Sequence, residues 1–468
     1  MRRLDDHIRI LRGKSMKKYV HSAVLAVLAG LSLMITGCTR SQINYQIAEA
    51  IGTDGKYENN EPVETPLMAE QRRLMEESES EEASLMEILS QAENYAKGYN
   101  FEDALSVLDS IPSELARDER VKEARERYEK GDSALVDWTG GDIPHLCFPT
   151  LIYDTMMAFD GDDKASDYNT TMVTCAEFQD ILQSLYDNGY ILIDIHSIAA
   201  MVTDERGTSS MEELPLKIPE GKRPIVLSQD NLNYSTVKNG DGIATKLVLD
   251  ENGKVKAQYT DSEGHDVAGD YDFIPILDTF IEEHPDFSFK GARGIVSVSG
   301  SEGVFGYKIS SGSDSSSGGT DAAASSGTAM ISQGQDDTVK AIAQALRAEG
   351  WNIACAGWSH NYMNDMSAGT FSEEIDDWLR YVGSLTGSAD ILFYPYGAEV
   401  EYPGEKLDYL VNHGFYYLCG LWGDTDFREI GDTYMRMTRR FVDGYTLINA
   451  PSYFTDFFDA SALADPDR

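Results

Sequence analysis

Pro224-Ile225-Val226-Leu227-Ser228-Gln229-Asp230-Asn231-Leu232 is the stretch whose reading decides the fold. Three consecutive apolar residues, Ile225 to Leu227, are bounded by a proline and by polar residues, the pattern of a short buried strand. The strand delivers Asp230 and Asn231 side by side to its carboxyl end, the edge at which folds of alternating strands and helices bind ligands. An aspartate there is ordinarily solvated, capping or hydrogen-bonded, so a functional reading rests on what accompanies it.

Outward from this stretch, strands and helices alternate from about residue 143. Leu146 to Tyr153 reads as a strand ending at Asp154. Thr174 with Glu177 forms a capping box that opens a helix facing inward through Phe178, Ile181, Leu182 and Leu185. Gly189 ends it, and Tyr190 to Ile193 is the next strand. Asn252-Gly253, between the alternating runs at 246–249 and 254–259, marks a hairpin insertion over 244–270. A helix near 274–283 and a strand at 294–298 resume the alternation. The Ser/Gly/Ala-rich stretch around 308–335 is expected to be a disordered loop. Three helix–strand units follow, at 337–355, 372–394 and 404–419. The fold class is α/β, and the number of units suggests a closed or nearly closed barrel over 143–455.

The N-terminal part differs in character. A basic segment at Met16-Lys17-Lys18 and an apolar run from Ala23 to Ile35 end on Thr36-Gly37-Cys38. Residues 1–38 are thus expected to be a signal segment of lipoprotein type, exported and then anchored through a lipid on Cys38 at the bacterial cell surface. Residues 39–80 are acidic and polar, and read as a flexible tether. Residues 81–131 carry an Ala-x-x-Tyr-Ala pattern with a continuation at Ala104, Leu105 and Leu108. It looks like a tetratricopeptide-type helical hairpin, which must pack on the main domain or dock a partner that the sequence does not name.

The chain carries 79 acidic and 39 basic side chains, a formal charge of −40, which repels phosphate backbones and excludes nucleic acid as a partner. Cys147, Cys175, Cys355 and Cys419 lack metal or redox spacing and read as buried thiols.

Three motifs fall at strand carboxyl ends: Leu227-Ser228-Gln229-Asp230-Asn231, Ala354-Cys355-Ala356-Gly357-Trp358-Ser359-His360, and Leu392-Phe393-Tyr394-Pro395-Tyr396-Gly397. In order and spacing they resemble the polysaccharide deacetylase family, the NodB-homology domain, over roughly residues 145–450. The resemblance implies a distorted (β/α) barrel of about seven units that removes acetyl groups from glycans such as peptidoglycan. It also implies a divalent metal, zinc or similar, held by an aspartate and two histidines, which activates water beside an aspartate base. Asp230 matches the base, and Tyr396 would offer its backbone N–H to the oxyanion. The match is incomplete. Asn231 stands at the metal carboxylate, Ala356 at the first histidine and His360 at the second, while Phe393 takes the place of an arginine that orients the base. No histidine follows His413 to serve as general acid. Asp154 is the one further carboxylate offered as a replacement ligand. The assigned base role carries the expectation that Asp230→Asn abolishes turnover and leaves folding intact.

Three functional readings stay open. In one, the cleft hydrolyses acetyl groups with a metal. In the second, it is a pseudoenzyme that holds an acetylated glycan without any cofactor, using aromatic faces at Tyr153, Trp358, Tyr396 and Trp422. In the third, the protein is a lipid-tethered surface protein whose helical hairpin docks a partner.

Overall fold

Short apolar runs cannot bury themselves and must lie beside one another under a layer of helices. The computed structural model describes residues 65–113, 115–310, 322–423, 425–466 and 468. Among these, seven runs form the strands β1 (His145–Phe148), β2 (Arg223–Gln229), β3 (Ile295–Val298), β4 (Asn352–Cys355), β5 (Ile391–Phe393), β6 (Tyr417–Leu421) and β7 (Met435–Phe441). They pair in parallel in the order β3-β4-β5-β6-β7-β1-β2, and β2 pairs back with β3, with Ser228 opposite Ile295. The ring is therefore a closed seven-stranded barrel. The strand that closes it, β7, has no counterpart in the sequence reading.

Alternate strand residues feed two cores. Leu146, Ile225, Leu227, Val296 and Leu392 join the larger one, packed with the helices. Val226, Ile295, Ala354, Phe393, Tyr417 and Met437 join the smaller one, which fills the barrel. The α-helices of eight or more residues among the described residues, in chain order, are α1 (Pro66–Lys97), α2 (Phe101–Asp109), α3 (Glu119–Ser133), α4 (Cys175–Asp187), α5 (Phe273–Glu283), α6 (Ala322–Ala348), α7 (Ala368–Asp377) and α8 (Glu405–Asn412). The Thr174–Glu177 capping box is present at the start of α4. The insertion after β2 is a three-stranded antiparallel sheet of Lys246–Leu249, Val255–Thr260 and Asp266–Gly269.

Two expectations need correction. Residues 66–80, read as part of a flexible tether, are helical: Pro66 opens α1, and Arg73 pairs with both Glu70 and Glu77 at helical spacing. Residues 322–335, read as part of a disordered loop, belong to α6, whose later turns bury Val339, Ile342 and Leu346 and carry the Ala-rich stretch along. Cys38 and the rest of the signal segment lie outside the described residues. No helix among the described residues is long and apolar enough to cross a membrane.

The chain divides at Ser78 and Glu79 into two units. Within the second, α2, α3 and the end of α1 bury Leu85, Ala92, Leu108, Val121 and Tyr128 together. This helical region packs on the barrel. The Lys290 N–H donates to the Gly98 carbonyl at 2.7 Å, and the Tyr99 and Phe289 rings lie 6.4 Å apart. Lys290 precedes β3, so the contact is on the amino-terminal side, away from the strand ends that carry the three motifs.

On the same side, His196 bridges two carboxylates, with Nδ1 2.7 Å from Asp194 and Nε2 3.1 Å from Asp390. Asn352, at the start of β4, donates to Asp194 at 2.9 Å. Burial opposes the charge of the imidazole, but the two carboxylates outweigh it and raise the pKa to about 10. A raised folded-state pKa gives stability that is full below the unfolded value of 6.5 and is lost as pH rises through about 10. Allowing for the bridge's partial exposure, His196→Gln should cost about 1–2 kcal/mol near pH 6 and markedly less above pH ~10.5. Urea unfolding at the two pH values checks this; an equal cost at both contradicts it.

Candidate functional site

Asp230 leaves the end of β2 with its N–H on the Phe148 carbonyl at 2.8 Å, which fixes the turn into the cleft. Its Oδ1 accepts from Ser297 Oγ at 2.8 Å, and its Oδ2 lies 3.3 Å from Arg439 Nη1. Arg439 comes from β7 and is wholly buried. Its guanidinium sits 4.0 Å over the Phe393 ring, beside the Tyr394 carbonyl and the Cys147 sulfur. Phe393 occupies the position at which the resemblance expects an arginine, and a guanidinium reaches the aspartate from a different strand across that phenyl face. The only signal for Arg439 in the sequence is the basic pair in Met435-Arg436-Met437-Thr438-Arg439-Arg440-Phe441, whose charges conceal a barrel strand.

Asn231 adopts φ 49°, a left-handed conformation that asparagine tolerates better than most residues. Its N–H donates to Ser297 Oγ at 2.8 Å, and its Oδ1 accepts from Ser299 Oγ at 2.7 Å. The alternating serines of Ile295 to Ser299 thus hold both residues of the first motif. Beneath them the buried Asp272 accepts from Leu151 N–H, Gln229 Nε2 and Tyr234 Oη, tying the chain after β1, the end of β2 and the cleft loop together. Burial raises the Asp272 pKa against the pull of these donors.

After β4, Ala356 is fully buried and offers no donor. Gly357 has φ 74°, and a Cβ there would lie 2.6 Å from Glu374 Oε1. Glu374, on α7, accepts from both the N–H and the hydroxyl of Ser359 at 2.7 Å. The loop so pinned brings His360, at φ 54°, into the cleft with its Nε2 buried and unpartnered. Burial lowers the His360 pKa and the Asp230 carboxylate opposes the shift, so the ring is neutral at neutral pH. The His360 ring lies 5.0 Å from that of Tyr396, which stacks on Tyr362 at 4.6 Å and 23°.

These groups line one cavity of about 530 Å³, with Asp230, Asn231, Lys238, Glu302, His360 and Tyr396 in its wall. Four sequence candidates are not part of that wall. Asp154 caps the short helix Thr155–Ala158, accepting from Met157 N–H at 3.2 Å. Tyr153 packs on Tyr259 and Tyr271, Trp358 on Tyr381, and Trp422 stacks on Phe427. Tyr396 alone of the aromatic candidates lines the cleft. Ser297, Ser299, Lys238, Tyr362 and Arg439 escaped the sequence reading.

The donor set does not fit the divalent cation that the resemblance implies. Asp230 is committed to Ser297 and Arg439, the Asn231 oxygen is taken by Ser299, and Ala356 brings nothing. His360 Nε2 is the one free donor at the three ligand positions. Among the described residues no group of three His, Cys, Asp or Glu side chains is placed to hold an ion.

A closed parallel barrel with its polar groups gathered at the strand carboxyl ends defines a β/α-barrel protein with its candidate site at the end where such barrels bind ligands. The polysaccharide deacetylase family model matches residues 323–418, which include the second and third motifs but not Asp230 or Asn231. That part of the chain thus matches the family that the three motifs resemble. Among solved structures the chain is similar to the Streptococcus pyogenes deacetylase PplD in complex with acetate, at 12% identity over 65% of this chain and 94% of that one, with a TM-score of 0.35. It is also similar to Puue allantoinase, at 19% identity over 28% of this chain and 41% of that one, with a TM-score of 0.18. Likenesses this distant carry no argument about chemistry. No curated protein matches the chain.

The ion pair corrects the expectation that Asp230→Asn leaves folding intact. Removing the carboxylate strands a wholly buried guanidinium, at a cost of about 3–5 kcal/mol. Adding Arg439→Met should recover at least ~1 kcal/mol of that loss. Urea unfolding of the wild type, both single variants and the double variant measures the coupling; simple additivity contradicts it.

Proposed function

We propose that this protein is an exported, lipid-tethered, deacetylase-type barrel whose cleft holds an acetylated envelope glycan without the family's metal-dependent hydrolysis. The observation that carries the reading is the cleft itself. A cavity of about 530 Å³ is lined by the exposed Tyr396, on which Tyr362 stacks, while the three ligand positions retain one free donor. Aromatic faces suit the apolar faces of pyranose rings, and a concave site of this size suits a short oligosaccharide.

A second reading, slow hydrolysis, is favoured by the retained Asp230 carboxylate beside the unpartnered His360. Asp230 would serve as base, with the Tyr396 N–H toward the oxyanion.

The test is titration of the purified protein with an N-acetylglucosamine tetramer by calorimetry, alongside an assay for released acetate. Binding without acetate release is expected, with Tyr396→Ala weakening it about tenfold, a loss of roughly 1.4 kcal/mol. Catalytic acetate release that disappears in His360→Ala would replace the binding reading with the hydrolytic one. Tethering is tested separately by labelled fatty acid in growing bacteria: incorporation should be lost in Cys38→Ala, and retained label would refute it.

A further inference from the structure

Lys238 lines the same cavity from the short turn Thr236–Lys238, and it is half-buried. With 79 acidic side chains in the protein, many lysines find a carboxylate; Lys164, for example, lies 2.7 Å from Asp241. Among the described residues, Lys238 has no ion-pair or hydrogen-bond partner for its amine. Burial lowers its pKa, and the more distant Asp272, Asp167 and Glu302 only partly oppose the shift. A half-buried cation without a close counter-charge is costly, and a ligand that brings the opposite charge removes the cost.

The acidic groups of the cleft are already engaged. Asp230 faces Arg439, and Glu302 accepts from Asn233 Nδ2 at 3.2 Å. The nitrogen groups are not: Lys238 Nζ is unpaired, and His360 Nε2 is buried with no partner. The wall therefore presents unused nitrogens to whatever enters. A neutral sugar brings only hydroxyl and amide groups to them, whereas a carboxylate brings charge to the amine and an acceptor to the ring.

We propose that the cleft selects acetylated glycans bearing a carboxylate, with Lys238 as the counter-ion and His360 as a second donor. This rests on the reading of the cleft as a glycan site and names the class of sugar it takes. The carboxylate can come from a lactyl ether on the ring or from an oxidised C6, and the two sources share the chemistry that Lys238 recognises.

The experiment compares three ligands on the full chain in detergent, by calorimetry. They are the neutral N-acetylglucosamine tetramer, a tetramer in which alternate sugars carry a lactyl carboxylate, and one in which they carry a C6 carboxylate. At least one acidic ligand is expected to bind about tenfold tighter than the neutral one, and the tighter of the two names the source. Lys238→Met should bring the acidic-to-neutral ratio close to one, and Lys238→Arg should keep it. Equal binding of all three by the wild type overturns the selectivity while leaving the glycan site standing, as does a ratio that survives Lys238→Met. Absence of binding to every ligand overturns both.

Discussion

The buried guanidinium of Arg439 is the constraint around which the functional end of the barrel is built. It has no solvent, so its charge must be met inside the protein, and the Asp230 carboxylate meets it at 3.3 Å. That pairing joins β7 to the end of β2 across the barrel. Phe393 lies under the guanidinium and Cys147 and Tyr394 lie beside it, so strands β1 and β5 are held to the same point. An aspartate that neutralises a buried arginine has less freedom than one facing water, and its two oxygens are already in use.

The same economy runs through the rest of the cleft. Ser297 gives its proton to Asp230 and receives one from the Asn231 backbone, so a single hydroxyl sets the position of both motif residues. Ser299 fills the Asn231 oxygen. Hydrogen bonds inside the wall occupy these oxygens, and an amide in place of a carboxylate lets Asn231 take the left-handed turn with its charge removed. The groups left over are nitrogens, which changes the kind of ligand the cleft can attract.

Much of the fold was legible because its signals are local. The apolar runs at Ile225 to Leu227 and Ile391 to Phe393, the capping box at Thr174 and Glu177 and the Asn252-Gly253 turn each read correctly from a few residues. Asp230, His360 and Tyr396 were legible because the motifs place them. Arg439 was not, because a strand written as Met-Arg-Met-Thr-Arg-Arg-Phe has neither an apolar run nor a clean alternation; its interior arginine is tolerated only through a carboxylate 209 positions earlier in the chain (439 − 230). Tyr153, Trp358, Trp422 and Asp154 were misread for a related reason. Lying near a strand end does not fix which way the following loop turns, and each of these four found a partner outside the cavity wall. The helical extensions at 66–80 and 322–335 show composition yielding to the cooperativity of a helix already anchored further along.

The direct test of this account is anomalous diffraction at the zinc edge from crystals soaked in a zinc salt. The account predicts no ordered zinc between His360 and Asp230, because the surrounding oxygens are bound within the protein. A fully occupied zinc at that point, held by His360 and two further protein groups, would contradict it.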